Sequence, residues 1–211
     1  MSRFSDWVET KSDGNSCIAI SGLGSHPFGS WQAKGAENKG WMWVRDALPK
    51  ALPSIRAALF GYDTKLVKSN SFQTIADLGL SLANNLKALG FASTKPLIVL
   101  AHSLGGIIVK EALVTLANDD DRGRQIVRQT AGAVLFGVPS RGMETQALMT
   151  MVRGQANEGL VRDLTVPSEY LQSLDDRFFE AAGAMKLFWA FETRTSPTVT
   201  VRKMPYGDAA C

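Results

Sequence analysis

Pro96-Leu-Ile-Val-Leu-Ala-His-Ser-Leu-Gly-Gly106 runs from an unbroken apolar stretch through a single serine into a pair of glycines. Behind it Ile107, Ile108, Leu113, Leu116 and Ala117 recur at helical steps. The order strand, serine, small residues, helix predicts a nucleophile elbow. Such a turn lifts the Ser103 hydroxyl clear of the sheet edge, and it needs small neighbours where the backbones crowd. Ala101 takes the first small position and Gly105 the second. The turn also sets the Leu104 amide at a helix N-terminus, where unpaired N–H groups and the helix dipole stabilise a developing oxyanion.

Outward from this segment, four more apolar runs have the length of strands: Cys17 to Ser21, Ala57 to Tyr62, Gly132 to Gly137 and Met185 to Phe191. They are too continuous for half-exposed strands and alternate with helical periodicity, the pattern of a mostly parallel sheet buried between helices. Ile75, Leu78, Leu80, Leu82, Leu86 and Leu89 predict a crossover helix that stops at Gly90. The second helix ends at Asn118 and the aspartates Asp119 to Asp121, read as a solvated exit, because three adjacent carboxylates cannot all face one ion. No metal site is expected. From about 143 to 184 the pattern is helical without an intervening strand, a helical insertion carrying Leu148, Met149, Met151, Val152, Leu160, Leu164, Tyr170, Leu171, Leu174, Phe178 and Phe179.

The first run delivers Gly22-Leu-Gly-Ser-His-Pro27 to the same sheet edge as Ser103. An oxyanion loop belongs there, with the Leu23 amide facing the substrate oxygen alongside that of Leu104, and glycine allowing close approach. A dinucleotide fingerprint fails because its third glycine falls on Pro27, and no Gly-Lys-Ser or Gly-Lys-Thr follows for a phosphate-binding loop. No cofactor is expected.

The 211 residues, 45% hydrophobic and 20% charged, suit one globular domain over 1–211. The formal net charge of +3 comes from scattered single residues, which argues against a nucleic-acid surface. Cys17 and Cys211 are the two cysteines, so no disulfide framework is expected, and a reducing intracellular, cytoplasmic setting is the expectation. No window reaches the 18 apolar residues of a membrane span, and Met1 to Lys11 lacks the pattern of a secretory signal.

Together Ser21-Gly-Leu-Gly-Ser-His-Pro27, Phe60-Gly-Tyr-Asp63, Ala101-His-Ser-Leu-Gly-Gly106, Phe136-Gly-Val-Pro139 and Phe188-Trp-Ala-Phe-Glu-Thr193 resemble the lipase-like serine hydrolase domains of fungal NOD-like, NACHT-type and repeat-containing proteins. That superfamily includes lipase-like, serine-active-site and inositol-deacylase proteins. The likeness runs from about Cys17 to Val199. It implies an α/β-hydrolase fold, a small-molecule or lipid ester substrate, Ser103 as nucleophile, and the Leu23 and Leu104 amides, beside Gly22 and His26, as the oxyanion and substrate loop. It also implies downstream signalling domains in a longer form.

The acid of the triad in such domains follows the strand after the insertion. Glu192 is the candidate, ahead of Asp208 in the tail. The resemblance puts the histidine after one more strand, whereas this sequence reaches Cys211 with only His26 and His102. The expectation is a truncated C-terminal end, and with it an alternative: a non-catalytic interaction module, with Trp31, Trp41 and Trp43 as a partner surface. A serine without a base is a weak nucleophile, and removing a triad serine or histidine costs about a million-fold in turnover.

Overall fold

A computed structural model of the chain describes residues 3–4, 14–33, 35, 37, 40–63, 65–91, 95–191 and 193. Glu192 and Asp208 lie outside them. The described elements run in the order β1 (Arg3–Phe4), β2 (Ser16–Ile20), a 3-10 turn (Gly29–Trp31), α1 (Trp43–Asp46), α2 (Leu48–Ala51), β3 (Arg56–Gly61), α3 (Ile75–Ala88), β4 (Leu97–His102) and α4 (Leu104–Ala117). Then follow α5 (Asp121–Gln129), β5 (Thr130–Phe136), α6 (Gln146–Val152), α7 (Glu158–Asp163), α8 (Glu169–Ala182) and β6 (Lys186–Ala190).

The five apolar runs are five parallel strands in the order β3-β2-β4-β5-β6. Two-residue β1, not foreseen from the sequence, adds antiparallel to β3. Side chains alternate between the two faces of each strand. One set, Ile18, Ile20, Val99, Ala101, Ala133 and Leu135, packs under α3, α4 and α8. The other, Cys17, Ala19, Ala57, Leu59 and Leu100, packs with Trp31, Met42, Val44 and Ile55. Burial on both faces is why these strands read as continuous apolar runs. β6 departs from this: Phe188 and Trp189 are exposed, so its apolar run marks an edge strand.

α3 begins with a capping box in which Thr74 and Asp77 each satisfy the other's backbone N–H. Its apolar stripe lies on α4, which is buried on every side. A helix apolar all round belongs in the middle of a core. The acidic exit after α4 also opens a new helix, α5: Asp120 Oδ1 accepts from the Gly123 N–H, while Lys87 pairs with Asp119 at 2.8 Å and Asp120 at 3.0 Å. Met143 to Ala184 forms α6, α7 and α8, as the helical periodicity predicts. Trp31 is core, edge-on to Trp43 and Phe136, whereas Trp41 is exposed.

Candidate functional site

The chain leaves β2 for β3 on one side and returns to β4 on the other, so the loops after β2 and β4 diverge at neighbouring carboxyl ends. A crevice at such a switch point is where open α/β sheets take their ligands. Ser103 stands there, between His102 at the end of β4 and Leu104 at the start of α4. Its φ of 52° and ψ of −125° are conformations that a residue with a side chain rarely adopts. Holding such a residue costs roughly 1–3 kcal/mol and needs a surrounding structure that over-determines it.

That surrounding structure is visible. The Ser103 N–H donates to Phe136 O at 2.9 Å, and Ser103 O accepts from the Gly106 N–H at 3.0 Å. Gly105 presses on the end of β2, where an added Cβ would stand 2.5 Å from Ser21 O. On the opposite wall a Cβ on Gly22 would stand 2.9 Å from Ser103 Cβ. Glycine at both positions brings the loop after β2 directly against the serine turn. The Tyr62 hydroxyl, from the end of β3, donates to Ser21 O at 2.9 Å and fixes the root of that loop. Burial raises the phenol far above its ordinary value, so it stays a donor.

Ser103 itself is half-buried. The backbone of Leu104 opens α4, whose first N–H groups have no partner inside the helix, and its side chain is buried in the core. Leu23 is half-buried and meets the insertion: it packs with Leu66, Met143, Met149 and Met151 around Leu148, Val152 and Val161. Asn157 Nδ2 clasps the insertion to the loop before α3 by donating to Lys65 O at 2.9 Å and Leu66 O at 3.1 Å. The structure therefore gathers Gly22, Ser103 and the start of α4 at one edge, with Leu23 joining that edge to the insertion.

Solved structures share this fold. The mature lipase BlEst2 of Bacillus licheniformis superposes with a TM-score of 0.58 at 14% identity, covering 86% of this chain and 66% of that one. The fold is that of the α/β-hydrolases. A second α/β-hydrolase match is phospholipase PlaB of Legionella pneumophila in complex with thio-NAD, with a TM-score of 0.51 at 14% identity over 83% of this chain and 37% of the other. No protein-family model matches the chain. By sequence it is similar to Protein SERAC1 of Mus musculus, 28% identical over 146 residues, and of Danio rerio, 29% identical over 148 residues. Each alignment takes in 66% of this chain, which spans 22% of the length of those relatives.

On the α/β-hydrolase frame, both histidines have other engagements. His26 lies exposed in its own turn, where Nδ1 accepts from the Phe28 N–H at 3.2 Å and the ring leans on Phe28 with centroids 5.9 Å apart. His102 pairs in register with Phe136, and so shares the sheet face of Trp31 rather than that of α4. There it lines a cavity of about 260 Å³ with Phe136, Gly137, Ala190 and Phe191. Glu192 follows that cavity in sequence, outside the described residues. Among the described residues no group of three or more His, Cys, Asp and Glu is placed to hold a metal ion. Nor is any helix there long and apolar enough to cross a membrane.

Two residues of the hydrolase frame carry no sequence signal of their role. Tyr62 fixes the loop after β2 across 41 residues, and Lys110 joins α4 to α8 across 65. Partners that far apart leave no local pattern; the hint for Lys110 is the charged pair Lys110–Glu111 inside a helix whose other residues are mostly apolar.

Proposed function

We propose that this chain is the core of a serine-type carboxylic ester hydrolase domain. Ser103 attacks the acyl carbonyl, and the Leu23 and Leu104 amides hold the tetrahedral oxyanion. Glu192 orients a histidine base lying in sequence beyond these 211 residues. The observation that carries the proposal is the left-handed Ser103 set between a strand end and a helix start, with Gly22 pressed against it. A residue with a side chain is held in that backbone conformation at a cost, and the presentation of a nucleophile at the sheet edge accounts for it. The apolar insertion beside Leu23 suits the acyl chain of a lipid or other small ester.

One observation favours a second reading, a non-catalytic interaction module. The His26 Nδ1 is tied into its own turn, and His102 extends from the sheet face of Trp31. Either reading suits an intracellular domain within a longer protein, with signalling domains downstream as in the fungal domains that the motifs resemble.

The test is hydrolysis of p-nitrophenyl esters of graded chain length by the full-length native protein and its Ser103→Ala variant. Turnover that falls at least a thousand-fold with Ser103→Ala supports the hydrolase. No turnover by folded native protein on any ester favours the module.

A further inference from the structure

α4 carries one lysine among its buried residues, and it is among the most enclosed side chains of the fold: Lys110 is 1% exposed. A buried ammonium is retained only where its charge and its three N–H groups are answered. Lys110 Nζ donates to Asp175 of α8 and, at 2.6 Å, to Ser140 Oγ in the loop after β5. The faces of Trp189 and Phe178 lie 4.9 Å and 5.5 Å away and take up the rest of the charge. Burial pulls the ammonium below the ordinary lysine value, while the hydrogen bond and charge of Asp175 oppose that pull. A serine beside a lysine is also the pairing of a nucleophile and its base, but a base must be a free amine, and Asp175 favours the ammonium.

Lys110 lies seven residues after Ser103, two turns along the same side of α4. Between the two sits Gly106, where an added Cβ would be 2.2 Å from Val138 Cγ2. The loop of Val138 thus rests on the first turn of the helix. One end of this loop is held by the Gly137 N–H on Ala190 O at 2.7 Å and by Phe136 O, which accepts from Ser103. Inside it the Ser140 N–H donates to Val138 O at 2.9 Å and the Gly142 N–H to Pro139 O at 3.0 Å. At its far end the Met143 N–H donates to Leu164 O at 2.8 Å, and between the two ends Lys110 holds the loop through Ser140.

We propose that Lys110 is a positioning residue: through Ser140 it clamps residues 137–142 onto the first turn of α4 and so holds the Ser103 turn in place. Its consequence for turnover rests on the hydrolase reading above, but the clamp itself does not.

The test uses Ser140→Ala, which removes the loop side of the clamp and leaves the Lys110–Asp175 pair and the core intact, with Ser140→Thr as the conservative variant that keeps a hydroxyl. Hydrogen exchange in the full-length protein is read at the Ser103, Ser140 and Gly142 amides against those of α3. In Ser140→Ala the three site amides are expected to exchange about tenfold faster or more, with α3 unchanged, because one hydrogen bond to a charged group is lost locally. Ser140→Thr restores the native rates. Unchanged site amides in Ser140→Ala, or acceleration spread equally over α3, overturns the clamp. Reaction of Ser103 with a fluorophosphonate is measured on the same samples, and it is expected to slow about tenfold in Ser140→Ala and recover in Ser140→Thr. Native protein that never reacts removes the hydrolase reading, while the exchange rates still decide the role of Lys110.

Discussion

Gly22 and Ser103 meet so closely that a β-carbon on the glycine would lie 2.9 Å from that of the serine and 3.1 Å from His102 Nδ1. Gly22→Ala must push the loop after β2 away from the serine turn. Overpacking of this kind costs about 1–3 kcal/mol. The expected outcome is a lower urea midpoint together with a loss of ester turnover larger than the loss of folded protein. An alanine variant with native stability and turnover would show that the two segments do not face each other.

The backbone of Ser103 predicts an asymmetry in stability between its glycine and alanine variants. Glycine accepts a φ of 52° without strain, whereas alanine does not. Ser103→Gly is therefore expected to be more stable than Ser103→Ala by about 1 kcal/mol, although glycine normally destabilises a chain. Equilibrium unfolding in urea measures the difference, and the opposite order would contradict the turn.

Tyr62→Phe deletes only the hydroxyl that donates to Ser21 O. A buried carbonyl left without its donor costs roughly 1–3 kcal/mol. The loop rooted at Ser21 should loosen, so turnover should fall with little change in KM. Thermal unfolding and steady-state kinetics on the same variant separate the two effects.

Cys17 gives the fold an alkaline limit. Burial in β2 raises its thiol from 9.0 to about 12. Between those values the native state keeps a proton that the unfolded chain has released, so stability is full below pH 9 and declines as pH rises toward 12. The slope from this one group is about 1.4 kcal/mol per pH unit. Tyr62 and Tyr170, also raised by burial, add to the decline at higher pH. Urea unfolding of native and Cys17→Ala protein at pH 8 and pH 10.5 isolates the cysteine: the stability difference between them should shift in favour of the variant at the higher pH. An equal difference at both values would mean that the thiol is not buried.

How far the sequence discloses this molecule follows from the range of each interaction. The five parallel strands and helices α3 and α4 are visible in the chain because each is specified by its own apolar pattern and its own stop signal, as with Gly90 after α3. α5 is concealed because Asp120 ends one helix region and caps the next, and because Ile126 is the helix's one fully buried apolar side chain. The serine turn is legible for the same reason as the strands: Ala101, Ser103, Gly105 and Gly106 are neighbours. The clamps are not, since Tyr62 finds Ser21 and Lys110 finds Ser140 and Asp175 only after the sheet has assembled. His26 shows the converse limit. Its place on the loop after β2 suggests proximity to the site, but a local hydrogen bond to Phe28 determines where its imidazole goes.

The most direct measurement is the mass of the full-length native protein after exposure to a fluorophosphonate, followed by digestion to locate the adduct. One phosphonyl group on Ser103, absent from Ser103→Ala, is the expected result. Folded native protein that acquires no adduct, or acquires it equally in Ser103→Ala, would contradict the assignment of Ser103 as a nucleophile.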